Sequence, residues 1–88
     1  MTLELRKFGQ ILNSRSSGRE AVLRAKQILN GSQDVDLILD FEGVEIFTPS
    51  FADEFIRGLK SVYPNKKLNF LRTNRVIDDV LRELNLNS

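Results

Sequence analysis

The spacing of hydrophobic residues changes several times along this chain, and each change marks an element. From Thr2 to Phe8 apolar and charged residues alternate, Leu3 and Leu5 against Glu4 and Arg6. That is the period of a half-buried strand near a sheet edge. Gly9 breaks the run, after which Ile11-Leu12 adds either a short second strand or a packed loop. Asn13 to Gly18 is polar, and its serines are suited to cap a helix. From about Ser17 to Asn30, Ala21, Val22, Ala25, Ile28 and Leu29 form one helical stripe. Asn30-Gly31 closes it, because glycine tolerates the left-handed conformation just past a helix end.

Val35 to Phe41 reads as a strand whose unbroken run Leu37-Ile38-Leu39 predicts helices over both faces. Phe51, Ala52, Phe55, Ile56, Leu59 and Val62 make the next helical stripe, ended by Pro64-Asn65. Leu68 to Leu71 is a third strand, and Val76, Ile77, Val80, Leu81 and Leu84 complete a last helix begun near Asn74. The order β-α-β-α-β-α predicts a small α/β fold, a mostly parallel sheet packed by helices. Residues 1–88 read as one domain, without repeats, linkers or low-complexity tracts.

Right-handed crossovers between parallel strands put every strand-to-helix turn on one edge of the sheet, where open α/β sheets usually bind ligands. Three turns are expected there: Asn13 to Gly18 if the first strand is parallel, Glu42 to Ser50, and Arg72 to Arg75. The edge is then rich in hydroxyls (Ser14, Ser16, Ser17, Thr48, Ser50, Thr73) and arginines (Arg15, Arg19, Arg72, Arg75). It also carries Asp40, Glu42 and Glu45, with Asp53 and Glu54 just inside the second helix.

Phe47-Thr48-Pro49-Ser50 is the turn of most interest. With Thr48 as the capping residue, Pro49 takes the first helical position, where its missing amide costs nothing. Ser50 then lies in the first turn. A second register makes Ser50 the cap and Asp53 its capping-box partner. Both registers put a serine hydroxyl at a helix start, where free amides and the dipole favour a phosphate. Asp40, Glu45, Asp53 and Glu54 would repel that phosphate, so the face would respond sharply to its charge.

Composition removes most alternatives. The chain has no cysteine and no histidine, which excludes disulfides, thiolate metal sites and imidazole acid–base catalysis. A net charge of +1 with mixed signs gives no basic face for nucleic acid. No apolar run reaches membrane-spanning length, and the N-terminus has no signal core. A cytoplasmic setting, no membrane association and no cofactor are therefore expected. Neither a G-x-G-x-x-G nor a Walker sequence is present, so the chain is not expected to be an enzyme. Asp40 and Glu45 could hold magnesium for a small nucleotide-binding protein, but two acids near a turn are a weak signature.

Leu39-Asp40-Phe41-Glu42-Gly43-Val44-Glu45-Ile46-Phe47-Thr48-Pro49-Ser50-Phe51-Ala52-Asp53-Glu54-Phe55 resembles the central segment of STAS-like domains, the anti-anti-sigma factor type. There the corresponding stretch reads Asp-Ser-Ser-Gly, and its second serine is phosphorylated by a partner ATPase kinase. Aligned without a gap, that serine falls on Ser50, within Thr48-Pro49-Ser50-Phe51. Ser14-Arg15 with Gly18 and the run from Ser50 to Glu54 look more like a divergent branch, found alone or with histidine-kinase-type ATPases.

The resemblance implies a regulatory module similar to anti-sigma factor antagonists, docking on such an ATPase or an anti-sigma-like regulator and switched at Ser50. Asp40, Thr48, Pro49, Ser50, Asp53, Glu54, Arg15, Arg72 and Arg75 are the expected partner-binding residues. The alternative is a constitutive interaction module in which Ser50 only caps the helix.

Overall fold

The computed structural model describes residues 1–86. The alternation at the N-terminus forms a strand only over β1 (Thr2–Glu4), and Leu5–Phe8 then winds into a 3-10 turn. The reason is burial. A 3-10 turn eclipses residues three apart, which sends Leu5 into the core and Phe8 against Phe55, ring centroids 5.6 Å apart. Gly9, at φ 124°, lets the chain turn back into β2 (Ile11–Leu12). The remaining order is α1 (Arg15–Ile28), β3 (Asp36–Asp40), β4 (Ile46–Phe47), α2 (Pro49–Val62), β5 (Lys67–Leu71) and α3 (Arg75–Glu83).

All pairing is parallel. β1, β3 and β5 form a three-stranded sheet with β3 central, in which Thr2, Ile38 and Asn69 share one register line and Leu3, Leu39 and Phe70 the next. After a break in both chains the same neighbours meet again. β2 pairs with β4, Ile11 with Ile46 and Leu12 with Phe47. The first strand is therefore parallel, and its turn does reach the carboxyl edge. Glu42 to Ser50 is likewise more than a turn, since β4 lies within it.

The helices cover one face of the sheet and not both. Leu3, Leu37 and Leu39 join a single buried cluster with Ala21, Ala25, Phe51, Phe55, Ile56, Leu59, Ile77 and Leu81. The opposite face carries Ile38, only half-buried, between exposed Thr2 and half-buried Asn69. The run Leu37-Ile38-Leu39 misleads because a central strand can tolerate one partly exposed isoleucine when its neighbours shield it.

Candidate functional site

The starts of α1 and α2 lie side by side because the strands feeding them are paired. Thr48 N–H donates to Leu12 O at 3.0 Å, which ties the two strand ends together just before each helix. Ser14 caps α1, its hydroxyl accepting from Ser17 N–H at 3.1 Å. Thr48 caps α2 through a longer bond from Phe51 N–H, 3.4 Å, and Pro49 opens the helix. The alternative register, with Ser50 as cap and Asp53 closing a box, is not adopted. Proline fixes the choice, since its locked φ suits the first helical position and its ring blocks that amide from any cap.

The two helices approach closely at this end. A Cβ placed on Gly18 of α1 would stand 2.9 Å from Glu54 Cβ and 3.0 Å from Phe51 O of α2. That proximity lets charges from both helices meet. Arg15 Nη1 donates to Asp53 Oδ2 at 2.9 Å and to Glu54 Oε1 at 3.5 Å, and Arg19 lies 3.6 Å from the same Glu54 oxygen. Arg57, one turn on from Asp53, holds its other oxygen and also donates to Leu84 O at 3.2 Å, just past α3. Asp53 thus joins α1 to α2 and, through Arg57, to the end of α3. The hydrogen bond from Arg15, then that from Arg57, hold its carboxyl below the usual carboxylate range. Arg15 is raised in turn, chiefly by its hydrogen bond to Asp53.

Ser50 occupies the second position of α2 and is half-buried, its hydroxyl without a hydrogen-bond partner among the described residues. Asp53 and Glu54 follow it by three and four positions and so share its side of the helix. Arg15 consequently reaches the face that carries Ser50. The repulsion expected from Asp53 and Glu54 is largely met by Arg15, Arg19 and Arg57.

Asp40, Glu42 and Arg72 form a separate cluster at the ends of β3 and β5. Asp40 is the one buried charged side chain among the described residues, 4% exposed. One of its oxygens accepts from Glu42 N–H at 3.0 Å and the other from Arg72 Nη1 at 2.8 Å. Arg72 also reaches Glu42 Oε2 at 3.3 Å. It makes these bonds from a left-handed backbone, φ 55°, a conformation that is costly for a residue other than glycine. Both Asp40 oxygens thus brace the end of the sheet. Arg75 is exposed and joins neither cluster, and Glu45 points its charge to solvent while its amide bonds Gln10 O at 2.8 Å. Among the described residues no group of three or more acids gathers that could hold a metal ion.

The nine expected partner-binding residues therefore divide. Arg15, Thr48, Pro49, Ser50, Asp53 and Glu54 surround the paired helix starts, Asp40 and Arg72 brace the sheet end, and Arg75, exposed at the start of α3, belongs to neither group. Sequence reasoning passed over Arg57, although its spacing of four from Asp53 was a legible signal. Gly58, a lone glycine inside a helix, was another.

The capping assignment has a direct consequence. Thr48→Ala is expected to cost about 0.5–1 kcal/mol, the lower part of the range for lost caps because the bond is long. Ser50→Ala, which removes no hydrogen bond, should stay within about 0.5 kcal/mol. Urea unfolding of both variants checks this, and a larger loss for Ser50→Ala would put the cap on the wrong residue.

A family model described as a STAS-like domain of unknown function matches residues 19–78. The chain belongs to that family. No curated protein and no solved structure matched it. No helix among the described residues is long and apolar enough to cross a membrane.

Proposed function

We propose that this chain is a regulatory protein-binding module whose paired starts of α1 and α2 dock on a histidine-kinase-type ATPase, and that phosphorylation of Ser50 weakens the docking. The observation that carries the reading is the Ser50 hydroxyl in the first turn of α2, without a hydrogen-bond partner among the described residues, on the side where Arg15 bridges to Asp53. The STAS-like family membership supports it.

The physical steps follow from that placement. A phosphate on Ser50 brings roughly −1.5 to −2 charges and three strong acceptors. Free amides at the helix start favour it locally. Arg15, half-exposed on the first turn of α1 and bonded to Asp53, is a cation able to leave a carboxylate for the phosphate. Asp53 and Glu54 then lose part of their compensation, and the docking face, with Arg15, Arg19 and Arg57 against Asp53 and Glu54, changes sign from net positive to net negative. A partner fitted to the unmodified face meets repulsion and an added desolvation cost.

The test is to incubate the protein with a candidate histidine-kinase-type ATPase from the same cell and ATP, then map phosphate by mass spectrometry. Phosphate is expected on Ser50, and Ser50→Asp is expected to bind that ATPase about tenfold more weakly, about 1.4 kcal/mol. No phosphate on Ser50, together with unchanged binding by Ser50→Asp, defeats the switch.

A further inference from the structure

We infer that the free edge of β5, with the groove beside the end of α2, binds an extended acidic peptide segment as an added strand. This surface lies at the other end of α2 from Ser50. Ten residues separate Ser50 from Lys60, which is about 15 Å of helix rise. The inference is independent of the Ser50 reading.

The edge is chemically incomplete. In a parallel ladder alternate residues direct both backbone groups to the neighbouring strand. Lys67 N–H bonds Val35 O and Phe41 N–H bonds Leu71 O, so Lys67, Asn69 and Leu71 are the residues that face β3. Leu68 and Phe70 therefore turn their N–H and C=O outward. β5 is the last strand of its sheet, so no strand takes them up. Both side chains pack toward the core.

Beside this edge runs a groove of about 600 Å³ whose lining includes Lys60, Tyr63, Lys66, Lys67, Leu68 and Phe70. Every charged residue lining it is a lysine. Lys66 sits 5.7 Å from the Tyr63 ring centroid and also donates to Asp34 O, which fixes its ammonium at the groove wall. An added strand places alternate side chains into such a groove while its backbone pairs with the edge.

The lysines also decide the occupant. Edge lysines discourage pairing with another copy of the same strand, because the copy brings the same charges. A strand with acidic residues at alternate positions meets the ammonium groups of Lys66 and Lys67 and open backbone donors together. Complementary charge and unpaired backbone thus select the same partner.

The experiment uses two end-blocked synthetic peptides, one alternating glutamate with valine and one alternating lysine with valine. It reads amide hydrogen exchange and heteronuclear NMR shifts. In the free protein Leu68 and Phe70 amides should exchange faster than Asn69. Saturating glutamate–valine peptide should slow those two at least about tenfold, and Lys66→Glu with Lys67→Glu should weaken the peptide by about tenfold or more. Raising the salt concentration on the native protein should weaken it too, which keeps the test valid if the double variant folds poorly. Equal binding of the lysine peptide, or no binding of either, overturns the proposal. So does protection of Leu68 and Phe70 that grows with protein concentration alone, which would make a second copy the occupant.

Discussion

Phe51→Ala is expected to lower the unfolding free energy by about 3–5 kcal/mol, the usual loss for a fully buried phenylalanine. All six phenylalanines of the chain form one continuous series of ring contacts: Phe70, Phe41, Phe47, Phe51, Phe55 and Phe8 in order. Phe51 is a middle link, 6.0 Å from Phe47 and 5.5 Å from Phe55 between centroids, with no exposed surface. Its removal opens a cavity and separates the rings of the sheet end from those under α1. A domain of this size holds roughly 4–13 kcal/mol in all, so a large share of its stability would go. Urea unfolding measures the loss, with exposed Arg75→Ala as the control, expected within about 0.5 kcal/mol. A loss below about 1 kcal/mol for Phe51→Ala would mean that α2 is not anchored here.

Gly18→Ala is expected to destabilise by about 1–2 kcal/mol, although alanine in a helix normally gains up to about 1 kcal/mol over glycine. The added methyl would stand 2.9 Å from Glu54 Cβ and 3.0 Å from Phe51 O. Neither atom is the tip of a flexible side chain, so α1 itself must move away from α2. That movement would also lengthen the Arg15–Asp53 bridge. Gly58→Ala is the internal comparison. Its Cβ would meet Val22 Cγ2 at 2.7 Å, a methyl on the opposing helix that a change of χ1 moves aside at about 0.5–1.5 kcal/mol, without displacing backbone. It should cost less than Gly18→Ala. The reverse order in thermal or urea unfolding would contradict the close approach of the helix starts.

The two glycines show where pattern reading reaches and where it stops. Helical stripes at Ala21, Ala25, Phe51 and Phe55 located both helices, because burial imposes the 3.6 period on the sequence. How near the helices lie is set by residues without side chains, which leave no mark in a hydrophobic pattern. The N-terminal alternation went further wrong. Leu3 and Leu5 are both buried, as a strand requires, yet Leu5 belongs to a 3-10 turn that also brings Phe8 inward. Two apolar residues two apart fit either geometry.

For the site, the helix starts at Thr48 and near Asn74 were legible because capping chemistry is local, whereas the choice between Thr48 and Ser50 as cap stayed open in the sequence. Thr48 Oγ1 and Asn74 Oδ1 each accept from the amide three residues on. The division into two charge clusters was not legible. Asp40 with Arg72 and Asp53 with Arg15 are pairs 32 and 38 residues apart in the chain. Only the register of the sheet and the proximity of α1 to α2 decide which acid meets which arginine. Phe51, where the anti-anti-sigma factors carry glycine, gains its reason only from the core, as a link in the phenylalanine series.

The central claim concerns Ser50, and the most direct measurement bypasses the kinase. The protein made by chemical synthesis with phosphoserine at position 50 can be compared with the unmodified chain for affinity to the proposed partner, a histidine-kinase-type ATPase, alongside the NMR signals of the Arg15 guanidinium. The account predicts an affinity lower by about tenfold or more, with the Arg15 resonances displaced as the guanidinium leaves Asp53 for the phosphate. Equal affinity of the two proteins, with Arg15 unmoved, would contradict it.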